Sequence, residues 1–92
     1  MNKEIKENWV AALRSDDYSQ GTLYLCNRGR YCCLGVLADV EGHKYDPNTQ
    51  LLPGDFLKTV ELSEHNAGRL MEMNDDEGMS FEEIADWIEE KL

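Results

Sequence analysis

The sequence predicts an α+β domain, helix-dominated, built around one short β-hairpin. Three observations carry that reading. Apolar residues recur at helical spacing at both ends of the chain, a turn-rich basic segment Asn27-Arg28-Gly29-Arg30 sits between β-rich residues, and 92 residues permit one core, so residues 1–92 form a single domain.

Asn2 to Arg14 places Ile5, Trp9, Ala12 and Leu13 on one helical face with Lys3, Glu4, Lys6 and Glu7 outside, and Asn2 is placed to cap it. Ser15-Asp16-Asp17 ends this helix. Tyr18 to Gly21 leads into Thr22-Leu23-Tyr24-Leu25-Cys26, whose composition predicts a strand. Asn27 to Arg30 then reads as a hairpin turn, with Gly29 suited to a positive φ, and Tyr31-Cys32 as the returning strand. From Cys33 the period changes: Cys33, Val36, Leu37 and Val40 follow i, i+3, i+4, i+7, a short buried helix with Gly42 as its stop.

Asp46-Pro47-Asn48-Thr49 has turn composition between short segments able to pair as a second hairpin, and Pro53 begins a new element. Ser63 caps a helix from Glu64 to about Asn74, with Ala67, Leu70 and Met71 inward. The last helix carries the strongest local signal. Ser80 and Glu83 form a capping box, Met79 and Ile84 a hydrophobic staple, and Phe81, Ile84, Ala85, Ile88 and Leu92 the inward face.

The net charge is −10 and unevenly spread: residues 1–46 hold six Lys/Arg against seven Asp/Glu, and residues 47–92 hold three against twelve. So acidic a surface repels nucleic-acid phosphate over a Debye length of roughly 8 Å, which excludes direct DNA or RNA binding. It leaves open a basic protein partner, and it fits equally well a set of solvated helix faces. Apolar runs are only a few residues long and the first twenty residues lack a signal-peptide core, so a soluble cytoplasmic protein with no membrane contact is expected. Three cysteines, two of them adjacent, suit a reducing compartment rather than a disulfide framework.

The Tyr31-Cys32-Cys33-Leu34-Gly35-Val36-Leu37 segment resembles that of a family of short phage, prophage and bacterial proteins of unassigned function. The resemblance extends to Trp9-x-x-Ala12-Leu13, to Tyr18-x-Gln20, and to the ending from Asn74 to Glu89, including Ser80-Phe81-x-x-Ile84-Ala85. It departs at Ala38, where many relatives place another cysteine, across Leu52 to Leu62, and by one additional residue in Asp75-Asp76-Glu77-Gly78. The resemblance implies a phage-associated accessory protein of the bacterial cytoplasm and no particular chemistry.

Candidate chemistry therefore comes from the residues. A catalytic thiol needs a base, and the two histidines, His43 and His65, stand in polar sequence with nothing to set them beside Cys26, Cys32 or Cys33. Cys33 is expected to face the core and Cys32 the other side. No ligand pair has zinc spacing, Asp75-x-Glu77 lacks the length of a calcium loop, and the chain ends before a recognition helix could follow Gly78-x-Ser80-x-x-Glu83. No metal, cofactor or catalytic residue is expected.

Tyr18, Gln20, Arg28, Arg30, Tyr31 and Asn74 are the polar residues of interest. Each has a plain structural role: Tyr18 covers a helix end, Gln20 and Asn74 satisfy loop backbone, and the arginines solubilise a hairpin tip. Together they are the ingredients of a pocket for a nucleotide-like anion, with Tyr18 and Tyr31 stacking, Gln20 and Asn74 reading ring edges, and Arg30 with Arg28 meeting phosphate. The expected function is a non-enzymatic binding protein that sequesters such a ligand. The alternatives are an acidic inhibitor that covers a basic surface of a host nucleic-acid enzyme through residues 64–91, and a small nucleotide hydrolase. Trp87, Met71 and Met73 are expected to leave apolar surface for a homodimer.

Overall fold

The computed structural model describes residues 1–46 and 48–92. Its order is α1 (Lys3–Arg14), β1 (Ser19–Gln20), β2 (Cys26–Asn27), β3 (Arg30–Tyr31), α2 (Cys33–Val40), α3 (Gly54–Val60), α4 (Glu64–Asp75) and α5 (Phe81–Lys91). This is the helix-dominated α+β architecture the sequence predicts.

The capped helices start where their capping residues stand. Asn2 Oδ1 accepts from Ile5 N–H, Ser63 accepts from Asn66 N–H, and Ser80 and Glu83 close a reciprocal capping box. Each arrangement satisfies amides that the first helical turn leaves without a partner. Helix α1 buries Trp9, Val10 and Leu13 chiefly against α5 and α2, and the Trp9 indole donates to the Cys33 carbonyl at 2.9 Å. Helix α2 buries every residue from Cys33 to Ala38 and exposes only its last turn, at Asp39, and so forms the centre of the molecule.

The sheet has three strands in the order β1-β3-β2, with β2 antiparallel and β1 parallel to β3. The hairpin lies where its composition places it, with Arg28 (φ 54) and Gly29 (φ 77) both left-handed, the conformation that a tight two-residue turn between twisted strands requires. The parallel pairing of Ser19-Gln20 is the unforeseen part.

Four expectations are corrected. The strand from Thr22 to Cys26 is confined to Cys26-Asn27, because Leu23 takes φ 74 and its N–H turns to the Asp75 carboxylate. No strand forms between residues 43 and 52 among the described residues; Pro47 lies outside them, while Asp46 accepts from Asn48 N–H and Thr49 N–H in a local turn. Cys32 is buried like Cys33, since it caps α2 with its sulfur accepting from Gly35 N–H. Met73 is wholly buried, and Trp87 and Met71 pack partly buried against the core, so the apolar surface expected there is largely covered.

Candidate functional site

The six candidate residues divide into three groups. Gln20 and Asn74 are brought together and used internally. Gln20 Nε2 donates to Asn74 Oδ1 (3.0 Å) and to the Met79 carbonyl (2.7 Å), and its Oε1 accepts from Phe81 N–H (3.1 Å) at the start of α5. Asn74, only 1% exposed, also accepts from Cys33 N–H and donates to the Gly21 carbonyl and Asp75 Oδ1. Two amide side chains thus join β1, the start of α2, the end of α4 and the start of α5. A buried amide left unsatisfied is costly, so both residues spend their polar groups on this network and have little left to read a ligand edge.

Tyr18 and Tyr31 also meet, edge to face, with ring centroids 5.0 Å apart and planes at 89°. The Tyr18 hydroxyl donates to Asp39. Burial, and then the Asp39 carboxylate, push the Tyr18 phenol above its ordinary range; burial and the adjacent Cys26 do the same to Tyr31. Tyr45 joins this group, pushed up to about 12 by burial and then by Cys26. A T-shaped pair offers no parallel slot for a planar ring, so the two tyrosines brace each other. Asp39, Cys26 and Tyr45 are the members that sequence reading missed. Asp39 lies on α2, Cys26 on β2 opposite Tyr31 and Tyr45 in a loop, and no short-range pattern links the three.

Arg28 and Arg30 form the third group. Asn27 and Arg30 are cross-strand partners, and Ser19 is the neighbour of Arg30 on β1. An open cleft of about 290 Å³ lies there, lined by Gln20, Gly21, Thr22, Asn27 and Arg30. Gly21 is glycine for a packing reason, since a Cβ there would stand 2.7 Å from the Arg30 Cβ. Arg28 occupies the turn, outside this lining. Among the described residues neither hairpin arginine forms an ion pair, whereas Arg14 lies against Glu82, Asp86 and Glu89, and Arg69 against Glu72 and Glu77.

The two buried thiols, Cys32 and Cys33, are poor nucleophiles where they stand. Burial pushes Cys32 up to about 11 and Cys33 well above the ordinary thiol value. Cys32 Sγ meets Gly35 N–H, Cys33 Sγ meets the Leu70 carbonyl, and His43 stacks on Phe56 with centroids 4.3 Å apart. Among the described residues no three His, Cys, Asp or Glu side chains converge as metal ligands, and no helix is long and apolar enough to cross a membrane.

No curated protein and no solved structure matches this chain. A family model does match residues 1–52, the part that holds α1, the whole sheet with its two unpaired arginines, and α2. On that match, over more than half its length, the chain belongs to the family described as a domain of unknown function, DUF8296.

Proposed function

We propose that the protein works by binding rather than catalysis, and that it captures a small anionic, nucleotide-like ligand at the hairpin cleft. The observation that carries this reading is the contrast among its arginines. In a chain of net −10, Arg14 and Arg69 are neutralised by carboxylates, while Arg30 lines the cleft in no ion pair among the described residues and Arg28 adds its charge from the turn. A guanidinium is well matched to phosphate because its planar donors engage two oxygens at once. The cleft is near the lower end of the volumes typical of small-molecule sites, about 300–1,000 Å³, which suits one phosphate-bearing fragment. Thr22 and Asn27 add short polar groups along its wall.

The ligand chemistry is narrower than the sequence alone suggested, because Gln20 and Asn74 have internal partners and Tyr18 and Tyr31 hold each other edge to face. Recognition then rests on the anionic group more than on a ring. The resemblance to phage and prophage proteins supports a setting for such capture in the cytoplasm of a bacterial host, acting on host physiology or defence by occupancy. The acidic-inhibitor reading is weaker, since five carboxylates of α4, α5 and the connection between them already lie against Arg14 and Arg69.

Native mass spectrometry of the protein recovered from cells, with titration of AMP, adenosine and inorganic phosphate by calorimetry, tests the proposal. A retained small mass, and binding of AMP or phosphate but not adenosine, is expected. Arg30→Ala should abolish it while Glu82→Gln with Glu89→Gln leaves it intact, and the reverse pattern would transfer the function to the acidic helices.

A further inference from the structure

Arg28 stands where its backbone does not want an arginine. It is the first central residue of a two-residue hairpin turn, with a left-handed φ of 54. Asparagine, aspartate and glycine take that conformation readily, whereas arginine adopts it against its own preference. An asparagine there would relieve the strain and keep the tip of the hairpin as soluble. What it would not supply is a positive charge. Strain retained at a surface position points to a use for the side chain that causes it.

That side chain has no internal use. Arg28 and Arg30 are both exposed, and among the described residues neither guanidinium takes part in a hydrogen bond or an ion pair, whereas the other two arginines, Arg14 and Arg69, do both. Two residues of chain hold the Cα atoms of Arg28 and Arg30 within about 7 Å of each other. Each guanidinium ends a long flexible stem, so the pair is able to converge on neighbouring groups of one ligand.

The space differs at the two positions. Arg30 lines the cleft of about 290 Å³, which suits one phosphate-bearing fragment, and Arg28 lies outside that lining. Beside Arg28 the turn is uncovered, since nothing lies within 4 Å of where a Cβ of Gly29 would stand. A second anionic group on the same ligand would lie outside the cleft, within reach of Arg28. A second guanidinium also offsets the added repulsion that such a ligand meets from a chain of net −10, and a longer polyanion has no third arginine to offset it.

We propose that the hairpin selects a diphosphate group, with Arg30 holding one phosphate in the cleft and Arg28 the other over the open turn. This rests on the cleft as an anion site and adds Arg28 as the residue that sets specificity.

Calorimetric titration of phosphate, pyrophosphate, AMP and ADP into the full chain is the experiment. Pyrophosphate and ADP should bind at least about tenfold tighter than phosphate and AMP, the factor that one charge-assisted contact supplies. Arg28→Asn should keep or raise the melting temperature, since asparagine accepts the left-handed φ, and should bring the ratio of diphosphate to monophosphate affinity to about one. Lys3→Gln, which removes one positive charge from α1, should leave that ratio in place. Equal affinity for monophosphates and diphosphates overturns the proposal while leaving the cleft as a site for a single phosphate. A preference that survives Arg28→Asn, or that Lys3→Gln lowers as much, also overturns it, because overall charge would then account for the preference. Binding of none of the four overturns the cleft reading and this proposal with it.

Discussion

Replacing Asn74 by alanine removes four hydrogen bonds from a residue that is 1% exposed. Of the groups it abandons, Cys33 N–H is buried away from water and the others are half-buried. Cys33 N–H loses an acceptor at the start of α2 and the Gly21 carbonyl loses a donor, while Gln20 Nε2 keeps its bond to Met79 and Asp75, half-buried, recovers a partner from solvent. At about 1 kcal/mol for a neutral bond, and up to about 3 where a buried group is stranded, the loss is about 3–5 kcal/mol. A domain of this length has about 5–14 kcal/mol in all, so the change consumes a large share of it. Each kcal/mol moves the melting temperature of a small domain by about 4–8 °C, which makes the expected fall at least about 12 °C. Thermal unfolding followed by circular dichroism measures it, and hydrogen exchange of the Leu23 and Cys33 amides locates it. A fall under about 4 °C, with those amides still protected, would refute the brace and return the edges of Asn74 to ligand reading.

Gly35→Ala should unfold or severely destabilise the protein although alanine is the better helix former by about 1 kcal/mol, because the new Cβ would stand 1.8 Å from the Leu25 carbonyl oxygen and 2.7 Å from its carbon. Urea titration measures this, and a stable Gly35→Ala protein would show that α2 does not lie so close to the Leu25 backbone. Cys32→Ser should be close to neutral, since serine is a favoured cap for Gly35 N–H, whereas Cys33→Ser should lose about 1–3 kcal/mol because the shorter C–O bond draws the hydroxyl away from the Leu70 carbonyl, already 3.6 Å from the sulfur. Equal losses by thermal unfolding would contradict this difference. Stability should be flat up to about pH 9 and fall as the pH rises to about 12, because the native state binds the protons of Cys32 and Tyr45 more tightly than the unfolded chain does, their values being raised to about 11 and about 12. Urea midpoints across that range are the measurement, and a constant midpoint would mean that those groups are hydrated in the native state.

Four of the helices, α1, α2, α4 and α5, were legible because the signals that start and stop them are local, whereas α3 was not, since Pro53 marks only a new element and no capping side chain or apolar period gives its type. Asn2, Ser63 and Ser80 accept from amides three residues on, Gly42 takes the positive φ (66) that ends α2, and the apolar spacing of α5 needs only one face to bury. The hairpin turn was legible for the same reason, since Arg28 and Gly29 carry it between them. What the tertiary structure alone decided depends on residues far apart in the chain. The pairing of Ser19-Gln20 beside Arg30-Tyr31 needs the amide of Gln20 fixed at the start of α5, sixty residues away, and no short-range pattern encodes that distance. Thr22 to Leu25 has the composition of a strand, but the Asp75 carboxylate and the Thr49 carbonyl compete for its amides and win. The same contest acted on the candidate residues: Gln20, Asn74, Tyr18 and Tyr31 became internal partners, and Arg30 lines its cleft in no ion pair among the described residues. A buried polar group must find a partner within the protein, and an exposed guanidinium need not.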